Sequence, residues 1–116
     1  TVEDYGNFLA YVINGAGLSE ERYQELSREQ MESVEGDQAK ENGHFGLGWE
    51  VMTQLSNDEI ALLHSGKAPG VSTLAVMFPK SKNGYLIFLN GDNMFPIYEE
   101  LLTNWVYLGS DLWDRK

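Results

Sequence analysis

The sequence predicts an α+β fold: an antiparallel sheet of three to four strands packed against helices. Three observations carry that prediction. Apolar residues recur at helical spacing near both ends of the chain, in residues 1–31 and again in 94–113. Between them, residues 45–90 hold short apolar runs that alternate or stay continuous, as strands do. Those runs are joined by turn residues alone, which favours hairpins over parallel βαβ repeats.

The elements follow in order. Thr1-Val-Glu-Asp4 has the outline of a capping box, with Asp in the Glu position. Tyr5, Phe8, Leu9, Val12 and Ile13 then form one helical face, and Gly15 and Gly17 stop the helix. Ser19 is an N-cap for a second helix over 20–31, with Tyr23, Leu26 and Met31 on its apolar side. Residues 32–44, ESVEGDQAKENGH, are polar, acidic and glycine-containing, and read as a loop. FGLGWEV (45–51) alternates as a strand, and TQLSNDE is a turn. IALLHSG (60–66), VSTLAVMF (71–78) and GYLIFLN (84–90) give three further strands. Pro69-Gly70 joins the first two of these, and Pro79 to Gly84 the next pair, with Asn83-Gly84 as the turn signal. Pro96 suits the first turn of a closing helix over 94–113, whose apolar face holds Ile97, Leu101, Leu102, Trp105, Val106 and Leu108.

Composition narrows the function. The chain has 116 residues, which sets a single domain as the expectation. No apolar run approaches the roughly 20 residues of a membrane span, so membrane insertion is not expected. No signal-peptide pattern is read, and a start at Thr1 is expected of a processed or excised chain. There is no cysteine, which removes disulfides and thiolate metal sites. The formal charge is −10, and it sits in one half: residues 1–59 carry 13 acids against 3 bases, while residues 60–116 carry 5 of each. The first half repels a phosphate backbone and the second has no basic stripe, so nucleic acid and anionic membrane are excluded as partners.

Few residues are candidates for chemistry. His44 and His64 are the only histidines and share no short ligand spacing, so no metal or other cofactor is expected. Trp49, Trp105 and Trp113 lie in periodic segments and are read as packing residues. The acids of 20–41 lack the spacing of a calcium loop. A His64–Ser65 couple is a poor base–nucleophile pair, because neighbouring strand residues point to opposite faces.

FGLGWEV, HSGKAPGVSTLAVMFP and GYLIFLNGDN, followed by an amphipathic helix, resemble in order and spacing the C-terminal third of the serine beta-lactamase and penicillin-binding-protein-like hydrolases. The opening TVEDYGNFLAYVINGAGLSEERYQEL is similar to the helical stretch that precedes it there, so the resemblance covers nearly the whole chain. It implies a partial beta-lactamase-like fold without its N-terminal strands. It also implies an activity on amide or ester bonds through an acyl-enzyme, with a small molecule or peptide as substrate. In that family the catalytic elements are Ser-x-x-Lys, Tyr-x-Asn or Ser-x-Asn, and Lys-Thr-Gly or a variant. His64-Ser65-Gly66 matches the third in a His-Ser-Gly form. By that resemblance Ser65 would bond polar groups of the substrate. Gly66 would keep the strand edge open. The backbone N–H of Lys67 would be an oxyanion-hole donor. His64 replaces the commoner lysine, and histidine loses its charge in the neutral range. That weakens recognition of an anionic substrate group, so an esterase or D-amino-acid peptidase fits as well as a beta-lactamase.

No serine in the chain has a lysine three places on. Tyr5-Gly6-Asn7 fits Tyr-x-Asn but lies in a capped helix and is read as packing. The chain is therefore expected to be a C-terminal portion of a larger hydrolase, inactive alone for want of the nucleophile. A non-catalytic binding module that keeps the fold is the alternative. The strand over 84–90 would have an unpaired edge, so self-association by edge pairing or helix exchange is expected. Members of the family are often exported, which points to the cell envelope, periplasm or exterior.

Overall fold

The computed structural model describes residues 1–28, 30 and 44–114. Helix α1 (Val2–Ile13) begins on the expected capping box: Thr1 Oγ1 accepts from the Asp4 N–H at 3.1 Å, and the Asp4 carboxylate closes back on the Thr1 backbone. It ends where Gly15 and Gly17 take positive φ (109° and 67°). Helix α2 (Glu20–Ser27) starts at Ser19, whose Oγ accepts from the Arg22 N–H at 3.2 Å. It is shorter than the expected 20–31. Ser27 Oγ donates to the carbonyls of Tyr23 and Gln24, and the backbone turns extended at Arg28. A hydroxyl that satisfies the last-turn carbonyls lets the helix stop there. Met31 and residues 32–43 of the acidic loop lie outside the described residues.

The sheet is fully antiparallel and runs β1-β2-β3-β4-β5 in chain order. Its strands are β1 (His44–Phe45), β2 (Glu50–Met52), β3 (Ala61–Ala68), β4 (Val71–Phe78) and β5 (Asn83–Leu89). The α+β class and the antiparallel sheet are as the sequence predicts. The strand count is five because FGLGWEV is not one strand but the end of β1, a tight turn and the start of β2. The Gly46 N–H donates to the Trp49 carbonyl at 2.8 Å, and Gly48 sits at φ 82°. A Cβ on Gly46 would lie 2.9 Å from the Arg28 carbonyl, so glycine is what lets this turn close on the end of α2.

The Asn83-Gly84 turn is also corrected. Both residues belong to β5, and the turn is Pro79–Lys82, closed by the Lys82 N–H to the Phe78 carbonyl at 2.8 Å. Lys82 itself takes positive φ (59°). Gly84 serves packing instead: a Cβ there would lie 2.8 Å from Ile13 Cδ1 and 3.0 Å from the Val76 carbonyl. Its absence lets α1 settle onto β5.

The expected single closing helix is two. Helix α3 (Phe95–Asn104) carries Pro96 in its first turn, and α4 is Gly109–Trp113. Between them Leu108 adopts φ 50°. A Cβ on Gly109 would come within 1.9 Å of the Leu102 carbonyl, so the chain reverses tightly over α3 at a site only glycine fits. The buried face of α3 also differs from the expected one. Tyr98 and Leu102 are buried, whereas Ile97 is exposed and Trp105 is 72 % exposed.

Side-chain alternation gives the sheet two apolar faces. On one, Leu62, Ala75 and Met77 meet Leu9, Val12, Ile13, Trp49 and Val51 beneath α1 and α2. On the other, Leu63, Leu74, Val76 and Phe78 meet Tyr98, Leu102 and Leu112 beneath α3 and α4. The sheet is thus sandwiched between N-terminal and C-terminal helices. Burial of side chains such as Phe78 and Leu62 stabilises by about 1.5–3 kcal/mol each.

Candidate functional site

The His64-Ser65-Gly66-Lys67 stretch lies in the second half of β3. That half differs from the first. β2 pairs only with Ala61, Leu62 and Leu63, so from His64 onward β3 has β4 as its sole strand neighbour among the described residues. The outer edge of residues 64–68 is therefore open.

The register fixes which backbone groups face that edge. Ala68 and Val71 flank the two-residue connection Pro69-Gly70, in which Gly70 takes φ 79°. A pair closing so short a loop is a hydrogen-bonded pair, and such pairs alternate along an antiparallel ladder. Gly66↔Thr73 and His64↔Ala75 are then the bonded pairs, and the amides of Ser65 and Lys67 point away from β4. The hairpin tip is held by the Gly70 N–H, which donates to Asp92 Oδ1 at 2.7 Å.

Side chains along this stretch divide between the two faces. His64 and Gly66 lie on the α1 side. The His64 ring packs edge-on against Trp49, with centroids 6.0 Å apart, and Thr73 Oγ1 donates to the Gly66 carbonyl at 3.4 Å. A Cβ on Gly66 would meet Thr73 Oγ1 at 2.8 Å. Ser65 and Lys67 follow the alternation to the α3 side. His64 and Ser65 consequently do not act on one another, as their adjacency in sequence implies.

A hollow borders the stretch on each face. On the α1 side a hollow of about 220 Å³ is walled by His64, Gly66, Thr73, Tyr5, Leu86 and Phe88. Tyr5 is half-buried, in edge contact with Phe8 and Phe88 at 5.5 and 6.0 Å, which is the packing role read for it. On the α3 side a larger cleft of about 400 Å³ runs from Ser65 and Lys67 to Met94, Phe95, Tyr98 and Trp113. The Tyr98 hydroxyl is buried without a hydrogen-bond partner among the described residues, and burial pushes it above the ordinary phenol range. That cleft was not legible in the sequence. The 98/102 spacing on α3 signals a buried face, but only the break at Leu108–Gly109 brings Trp113 back beside it.

Trp49 is a core residue, as read, and Trp113 is partly buried, but Trp105 is not a packing residue. It sits on the outer surface, where its indole N–H donates to Glu100 Oε1 at 3.2 Å. Among the described residues no three His, Asp or Glu side chains come together as a metal site, and no helix is long and apolar enough to cross a membrane. Comparison of the chain with protein-family models, curated proteins and solved structures finds no match.

Proposed function

We propose that this chain is the substrate-side sheet of a beta-lactamase-related serine hydrolase that cleaves amide or ester bonds through an acyl-enzyme. The observation that carries the reading is the open edge of β3 at His64-Ser65-Gly66-Lys67, with the Lys67 amide directed outward. An extended acyl substrate lies against such an edge as an added strand. The outward N–H of Lys67 is then a fixed dipole for the oxyanion that forms in the transition state. Gly66 leaves the face free of a side chain, and the Ser65 hydroxyl is available to a polar group of the substrate. His64, exposed on the other face beside Trp49, binds neutral or weakly anionic substrates better than strongly anionic ones, which favours an ester or a D-amino-acid peptide.

The nucleophile and its lysine belong, in this reading, to a longer parent chain, since none of the serines here is followed three places on by lysine. That same absence favours the second reading, a binding module that keeps the fold without the chemistry. Ester hydrolysis by the parent separates the role of the Lys67 backbone from that of its side chain. Lys67→Pro removes the N–H and is expected to lower kcat by about 10²–10³, whereas Lys67→Ala keeps the N–H and most of the rate. Equal losses in the two variants would refute the backbone role.

A further inference from the structure

The cleft on the α3 face shares Ser65, Gly66 and Lys67 with the hydrolase reading but extends beyond it to α3 and α4, across the sheet from the His64 ring. At about 400 Å³ it is the size of a small-molecule site. Its apolar surface comes from Leu74, Leu102, Met94, Phe95 and Trp113. Leu74 and Leu102 are fully buried at its floor, while Phe95 is exposed at its rim.

Four residues with polar side chains line that surface: Ser65, Lys67, Tyr98 and Thr73, the last with its hydroxyl already donated to the Gly66 carbonyl. Tyr98 is only 8 % exposed, and its hydroxyl has no hydrogen-bond partner among the described residues. A buried phenol left unpaired is a standing cost that a ligand acceptor removes. The Ser65 and Lys67 side chains are exposed, and among the described residues no carboxylate pairs with Lys67. The chain has 18 acids and 8 bases, yet among the described residues none that lines the cleft is acidic. Asp92, just beyond the end of β5, accepts from the Gly70 N–H at the neighbouring hairpin tip and is not part of the wall.

The sign and size of the ligand follow. In a chain of charge −10 the Lys67 end of this cleft is a local exception, suited to an anion. A single ammonium with two hydroxyls matches one carboxylate. It is too little to hold a multiply charged group against the surrounding field. At about 30 Å³ per water-sized group, the cleft takes about a dozen such groups.

We propose that this cleft binds a medium-chain monocarboxylate, its alkyl tail against Leu74, Leu102 and Trp113 and its carboxylate on Lys67 and Ser65. The Tyr98 hydroxyl supplies the further donor. The site needs no nucleophile and no parent chain, so its test is independent of hydrolase activity.

Isothermal titration of this chain with decanoate, below the concentration at which it forms micelles, reads the proposal directly. Saturable one-to-one binding is expected. 1-Decanol, with the same tail and no charge, is expected to bind about tenfold more weakly, as is decanoate to Lys67→Gln. Tyr98→Phe is expected to weaken decanoate about fivefold, with the circular dichroism spectrum unchanged. Lys80→Gln, which removes a charge remote from the cleft, should leave the affinity as it is. Absence of saturable binding, equal affinity for 1-decanol, or an unaffected Lys67→Gln would each overturn the proposal.

Discussion

At the scale of single residues, the sharpest tension in the molecule is Glu59. It is 2 % exposed, one carboxylate oxygen accepts from the Tyr107 hydroxyl at 3.2 Å, and the other has no hydrogen-bond partner among the described residues. A buried carboxylate with one donor is costly, and losing that donor costs more than the bond itself contributes. Tyr107→Phe is therefore expected to destabilise the fold by about 1–3 kcal/mol, read as a lower urea midpoint at unchanged m-value. An unshifted midpoint would mean that the carboxylate finds another donor. The same rule of alternation that separates His64 from Ser65 was legible in the sequence, because side-chain parity along a strand is purely local. The open edge beside them was not. It depends on β2 beginning only at Glu50, opposite Leu63, which no residue near 64–68 encodes.

Among elements, the starts of α1, α2 and α3 were legible, as was the end of α1 at Gly15 and Gly17, but the ends of α2 and α3 were not. Thr1, Ser19 and Pro96 mark their helices through local caps and fixed backbone angles, which act within a turn of the residue itself. The ends are set partly by packing. The α2 helix stops at Ser27 by hydroxyl bonding, and the α3–α4 break occurs inside a run of continuous helical periodicity. Gly109 is the residue on which that break turns. Gly109→Ala would press a methyl into the Leu102 carbonyl and is expected to cost about 3 kcal/mol. Because Leu102 and Trp113 line the α3-side cleft, the loss should appear both in thermal unfolding and in altered Trp fluorescence. A fully stable Gly109→Ala would show that α3 and α4 can separate without harm. Asn83-Gly84 misled for a related reason: the pair is a good hairpin turn locally, but Gly84 is needed where α1 meets β5.

The whole molecule is a sheet with helices on both faces, and the uninterrupted run LAVMF in β4 fits that placement, since a strand buried on both faces does not alternate. One edge of that sheet is unguarded. Among the described residues β5 pairs only with β4, and the register turns the amides and carbonyls of Gly84, Leu86 and Phe88 outward. Phe88 (42 % exposed) and Phe8 (46 % exposed) lie beside the edge, and no lysine or proline falls within Asn83–Leu89. Such an edge recruits another strand. We propose self-association through it. The charge of −10 opposes that association, so it should strengthen with added salt. Sedimentation velocity is expected to show a concentration-dependent rise that Phe88→Lys removes. A constant monomer at all concentrations and salts would contradict it.

An acylating serine outside this chain is the most exposed element of the functional proposal, and one measurement reaches it. The longer parent and this chain are each treated with a fluorescent penicillin and with a fluorescent fluorophosphonate, and covalent label is read on a denaturing gel. The hydrolase reading predicts label on the parent and none on this chain, since no Ser-x-x-Lys lies within it. An unlabelled parent would contradict it and leave the binding module in its place. Label on this chain itself would contradict it differently, by making Ser65 or another serine here a nucleophile.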